Sequence, residues 1–141
     1  MRIFLSGIIS GSLLGKELHD QSYRQELRQL LRRVAPQAQV LCPWDMHPDA
    51  VEYGPERARA AFLAEVEAAA SSDLVVAYIP QASMGTAIEM WEASRRGVPV
   101  LAISPLTTNW TLLLLARRIF PTMGDFAAFA EAGGLKEYLR R

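Results

Sequence analysis

The chain has one cysteine, Cys42, and two histidines among its 141 residues. A single thiol excludes an internal disulfide and any cysteine-rich zinc cluster, and it suits a reducing cytoplasm. Charge of one sign is also missing. Fifteen Lys and Arg balance fifteen Asp and Glu, which removes the electrostatic basis for broad binding to nucleic-acid polymers or to a membrane surface. No apolar run approaches the ~18 residues of a membrane span; Trp110 to Ala116 is far too short. What is present is a chain of one-domain length, half hydrophobic and 21% charged, able to build a core rather than stay disordered.

The N-terminus has the look of a short signal peptide, with Arg2 ahead of Ile3-Phe4-Leu5 and later Leu13-Leu14. Ser6-Gly7, Ser10-Gly11 and Ser12 interrupt it, and no small-residue cleavage pattern follows. A strand opening into a glycine-rich loop accounts for the same residues.

Strand and helix signals then alternate. Arg2 to Ser6 reads as a buried strand, and Ser22 to Val34 as an amphipathic helix with Leu27, Leu30, Leu31 and Val34 at helical spacing. Gln39 to Cys42 and Leu74 to Ile79 read as strands, Pro55 to Ser71 and Ser83 to Arg96 as helices, and Val98 to Ile103 as a strand. Trp110 to Arg118 and Asp125 to Leu139 are expected to be helices, the second interrupted at Gly133-Gly134. Apolar strands separated by helices predict a single α/β domain over 1–141: a doubly wound, flavodoxin-like parallel sheet of four or five strands flanked by helices. In such a sheet the ligand crevice lies beyond the carboxyl ends of the strands. Those ends are Ser6-Gly7, Cys42-Pro43, Tyr78 to Gly85 and Ser104 to Asn109.

Several familiar motifs fail. Gly11 to Lys16 lacks the phosphate-loop spacing, with its glycines one residue too close and Glu17 in place of the magnesium-binding hydroxyl. No dinucleotide fingerprint follows the first strand. Asp45, His47 and Asp49 read better as a solvated loop than as metal ligands, and His19-Asp20 as a solvent-facing helix cap. Neither a metal nor a cofactor is expected.

The informative segment runs from Asp73 to Ala93. A buried strand enters a loop, and a helix opens at Ser83, a good N-cap residue. Free N–H groups around Met84, Gly85 and Thr86 suit an anion or sugar hydroxyls, and Gly85 lets a ligand approach the backbone. Glu89 projects from the same side one turn deeper. Glu92 has Arg95 and Arg96 within reach along the helix, whereas Glu89 has only Glu92 and Ala93 at those spacings. Spacing alone leaves Glu89 open to two readings, a surface glutamate or a carboxylate aimed at the anomeric carbon of an N-glycoside.

This segment resembles the core motif of the nucleoside 2-deoxyribosyltransferase superfamily, which includes the 2′-deoxynucleoside 5′-monophosphate N-glycosidases. The strand from Asp73, then Gly85-Thr86, Glu89, Ala93, Gly97 and Pro99-Val100, carries the likeness. The resemblance implies a cytoplasmic, homo-oligomeric enzyme that cleaves the N-glycosidic bond of a nucleoside or nucleoside 5′-monophosphate. It would act through a glycosyl–glutamate ester and pass the sugar to water or another base. It makes Glu89 the nucleophile and Glu65 the second carboxylate, which in that superfamily is usually Asp. Ser83 stands where the monophosphate hydrolases hold phosphate. Gly7, Ser10, Met84, Gly85 and Thr86 complete the expected substrate contacts, and Asn109 falls near a segment given to a neighbouring subunit. The chain departs from the hydrolases at Ile8 and Ser10, which replace a serine and an arginine of the phosphate loop.

Trp44, Tyr53 and Tyr78 are candidates for stacking on a base. The nearly all-apolar helix from Trp110 to Ala116 is expected to join a homo-oligomer contact. Two other readings stay open: a non-catalytic nucleotide or sugar-nucleotide binding module, and a cytokinin-activating type of phosphoribohydrolase, whose loop glycines are missing at Gln81 to Ser83.

Overall fold

The computed structural model describes residues 1–139; Arg140 and Arg141, the end of the expected 1–141 domain, lie outside the described residues. Five parallel strands form one sheet in the order β2-β1-β3-β4-β5. They are β1 (Arg2–Gly7), β2 (Gln39–Leu41), β3 (Leu74–Tyr78), β4 (Val100–Ile103) and β5 (Arg118–Phe120). Among the described residues six α-helices accompany them, the last following β5: α1 (Ser22–Val34), α2 (Pro43–Met46), α3 (Pro55–Ala70), α4 (Met84–Arg95), α5 (Trp110–Leu115) and α6 (Met123–Glu131).

Side-chain alternation along the strands fixes which helices cover which face. Ile3 and Leu5 of β1 join Leu27 and Leu31 of α1 and Phe126 and Ala130 of α6 in one core cluster. Phe4, Val75, Ala77 and Ala102 point the other way, onto Ala69 of α3, Met90 and Ala93 of α4 and Leu112 of α5. Strands buried on both faces explain their unbroken apolar runs. The chain reverses direction across the sheet between β1 and β3, and this opens a crevice above their carboxyl ends.

Two expectations need correction. The helix expected from Trp110 to Arg118 stops at Leu115, and Arg118–Phe120 is strand β5. Ala116 is extended, Arg117 donates its N–H to the Val100 carbonyl, and Phe120 reaches the register position of Ile103. Three residues on a sheet edge are too few to show a period, so pairing with β4 wins over helical propensity. The helix expected from Asp125 to Leu139 is interrupted at Gly133-Gly134 as expected, but its bounds differ. It begins earlier, at a capping box of Thr122 and Asp125, and ends at Glu131 before Gly133, whose φ of 85° only glycine takes readily. A 3₁₀ turn over Gly134–Glu137 follows.

Candidate active site

The crevice holds a cavity of about 220 Å³ lined by Gly7, Ser10, Arg24, Phe62, Glu65, Ser83, Gly85, Thr86 and Glu89, among others. Three elements supply its chemistry. Helix α4 starts at Ser83, whose Oγ accepts the Thr86 N–H at 3.4 Å and lies 2.9 Å from the Thr86 hydroxyl. That cap sets the direction of the first turn and carries Glu89, one turn on, down to the carboxyl end of β1. Helix α3 contributes Phe62 and Glu65, three residues apart on one side. Strand β1 contributes Ser6, which shares its face with Phe4 and so looks toward α3 and α4.

Glu89 is only 6% exposed, and the fully buried Ser6 donates its hydroxyl to Glu89 Oε2. Among the described residues, the one enclosed side-chain polar atom without a partner is His19 Nε2. Glu89 Oε1 has no hydrogen bond and is not enclosed, so it is the oxygen that opens on the cavity. Burial pushes the Glu89 carboxyl up to about 7, the Ser6 hydroxyl opposes this, the nearby Glu65 charge adds to it, and Arg24 opposes it. Glu65 is also raised by burial, with His47 and Arg24 acting against the rise. Burial thus biases both carboxyl groups of this pocket toward keeping a proton. Glu92 behaves oppositely. Arg95 and Arg96 hold it down at about 2 on the solvent side of α4.

Seven of the nine expected site residues meet in this cavity: Gly7, Ser10, Glu65, Ser83, Gly85, Thr86 and Glu89. Met84 and Asn109 do not. They line a separate, mostly apolar pocket of about 160 Å³ on the other flank of Ser83. Met84 projects outward from the first turn of α4, and Asn109 Oδ1 is occupied in capping α5, accepting from the Thr111 and Leu112 N–H groups.

The aromatic candidates also lie elsewhere. Tyr78 stacks on Tyr23 with ring centroids 4.2 Å apart, Trp44 packs on the core, and Tyr53 lies edge-on to His47 with Arg57 over its ring. Phe62 is the aromatic ring in the cavity wall. His19 is not the solvent-facing residue expected, because its ring Nε2 is enclosed, whereas Asp20 does accept from the Ser22 N–H at the start of α1. Among the described residues no group of three His, Cys, Asp or Glu side chains converges as a metal site would require.

Ser6, Arg24 and Phe62 went unread as site residues, and two of them carry a signal. Ser6 is the one polar side chain in β1 after Arg2 at its start. Arg24 sits on the stripe of Leu27 and Leu31, at positions 24, 27 and 31, where an apolar residue belongs. Phe62 carries no mark in an alanine-rich helix.

No protein-family model and no curated protein sequence matches the chain. Solved structures do. A 2-deoxyribosyltransferase from Bacillus psychrosaccharolyticus superposes with a TM-score of 0.64 at 21% identity, covering 90% of each chain. A conserved protein from Enterococcus faecalis gives 0.65 at 20% identity, over 94% of this chain and 98% of that one. The Clostridium botulinum CMP N-glycosidase BcmB gives 0.56 at 16% identity, over 94% and 99%. The chain therefore has the α/β fold of a deoxyribosyltransferase and of an N-glycosidase, the fold that the resemblance in its Asp73 to Ala93 segment implies.

Proposed function

We propose that the chain cleaves the N-glycosidic bond of a nucleoside or nucleoside 5′-monophosphate, with Glu89 as nucleophile. One observation carries this reading: a buried carboxylate, tied down through Oε2, presents its free Oε1 to a cavity floored by a helix N-terminus. In the first step Glu89 Oε1 bonds to the anomeric carbon, the C–N bond breaks, and its electron pair leaves on the base. Glu65, in the same cavity, is the group that gives the departing nitrogen a proton. In the second step water, or an acceptor base, attacks the same carbon, the ester C–O bond breaks, and Glu65 takes the released proton. Ser83, Gly85 and Thr86 at the start of α4, which line the cavity, hold sugar hydroxyls or a phosphate. Ser83 favours a monophosphate substrate and water as acceptor.

A second copy of the chain covers the flank of this cleft. Trp110 and Leu114 of α5 are 80% and 78% exposed, and Met84 and Ile88 of the adjoining helix α4 are exposed as well. Such neighbouring apolar side chains characterise an interface rather than a free surface. Asn109, at the start of α5, then lies close to the partner's cleft.

The deciding experiment is chromatographic release of free base from a panel of nucleosides and their monophosphates, with intact-mass detection of a glycosyl–enzyme. Glu89→Ala is expected to abolish release, and turnover persisting in that variant removes the assignment. Binding by calorimetry without release from any substrate selects a non-catalytic nucleotide-binding module instead.

A further inference from the structure

Arg24 is 2% exposed, yet no carboxylate lies within ion-pair distance of it among the described residues. A buried guanidinium without a counterion is costly unless its donors and charge are used. Its donors are used mainly on β1, and Nη1 also reaches Cys42 Sγ at 3.5 Å. Nη2 donates to the Gly7 carbonyl at 3.0 Å and Nη1 reaches the Leu5 carbonyl at 3.5 Å, while Nε is fixed by Gln21 Oε1 at 2.7 Å.

The register explains why these carbonyls need a donor. Carbonyls of odd-numbered β1 residues face β2, as in the bond from the Gln39 N–H to the Met1 carbonyl, and Arg2 stands opposite Gln39. Two residues per step brings the Leu5 carbonyl to position 43, where Pro43 has no N–H to give. The ladder ends there, and the fork of Arg24 takes its place. Leu5 and Gly7 flank Ser6, the residue that anchors Glu89.

We propose that Arg24 is a positioning residue for Glu89: by clamping the carbonyls on both sides of Ser6 it aims the seryl hydroxyl at Oε2, and its charge favours the carboxylate form that leaves Oε1 ready to attack. The groups around Glu89 are Ser6 from β1, Tyr23 and Arg24 from α1 and Glu65 from α3, with His47 acting on Glu65. Arg24 is the cation among those that act on Glu89 directly. This inference rests on the nucleophile reading for its catalytic meaning, but the orientation and ionisation of Glu89 are measurable without it.

The test is a ¹³C NMR titration of the Glu89 carboxyl in wild type, Arg24→Met, Arg24→Lys and Ser6→Ala, alongside the pH profile of base release. Arg24→Met is expected to raise the Glu89 midpoint by about one pH unit, the lower end for losing a nearby opposite charge, and to move the acid limb of kcat/KM equally. Arg24→Lys keeps the charge without the fork. Its midpoint stays near that of wild type while kcat falls about tenfold, as expected of a misplaced nucleophile. Ser6→Ala raises the midpoint as well. An unmoved midpoint in a folded Arg24→Met protein overturns the proposal and leaves Arg24 a purely structural clamp. Should that variant fail to fold, wild-type titration and kcat in Ser6→Ala overturn it instead. A wild type that releases no base removes the glycosidase reading, and the displaced titration still decides the role of Arg24.

Discussion

Replacing Glu89 by Gln is expected to stabilise the fold, and by an amount that depends on pH. The carboxyl titrates near 7 in the folded chain against an ordinary 4.5. Between those values the folded chain holds a proton that the unfolded chain has released, so stability falls as pH rises. Below 4.5 both states are protonated and the penalty is absent; above 7 both are ionised and it is complete. At ~1.4 kcal/mol for each pH unit of displacement the full penalty is ~3 kcal/mol. Glutamine is nearly isosteric, still accepts from Ser6, and carries no charge to desolvate. Urea denaturation of both proteins at pH 4.5 and pH 8 reads the effect. The two curves should nearly coincide in acid, and the variant should lead by ~3 kcal/mol in base, a rise in Tm of about 6–12 °C for a domain of this size. A difference that is the same at both pH values, or a variant weaker than wild type at pH 8, refutes the reasoning. Stabilisation with loss of base release would mark a site that gives up stability for reactivity.

Other outcomes follow from packing. A β-carbon at Gly7 would overlap the Tyr23 hydroxyl, which is committed to the Ile8 carbonyl while its ring is stacked on Tyr78. Gly7→Ala is expected to cost about 1–3 kcal/mol in urea denaturation, as overpacking does, and wild-type stability would show that the ring moves freely. Light scattering is expected to find an oligomer in wild type and a monomer in Trp110→Glu or Leu114→Glu; a monomeric wild type sinks the interface.

The sequence revealed most where one physical cause acted alone. The stripe of Leu27, Leu30 and Leu31 ends with Val34 and has Pro36 beyond it, so α1 runs from Ser22 to Val34 as its periodicity requires. Leu74 to Tyr78 is unmistakable because nothing polar interrupts it. Ser83 caps α4, and that cap locates Glu89. Legibility failed where tertiary partners decide. Strand β5 exists because β4 offers a free edge. Arg24 enters the site because Pro43 leaves a carbonyl without a donor, a fact invisible until the register of β1 against β2 is known. Met84 and Glu89 leave the same helix in different directions, so nearness in sequence to Ser83 did not place both in one cavity.

The strand order also governs how the protein can be made. Strand β1 emerges from the ribosome first but lies between β2 and β3, and its register with β3 spans 71 residues, from Ile3 to Leu74. During synthesis α1 can cover Ile3 and Leu5 early, but the Phe4 face must wait for α3 and α4. Ser6 meets Glu89 only after 83 further residues have appeared. Closing the sheet and bringing Glu89 to Ser6 are therefore late, coupled events, and a nascent chain stalled before β3 would leave β1 paired with β2 on one edge and open on the other.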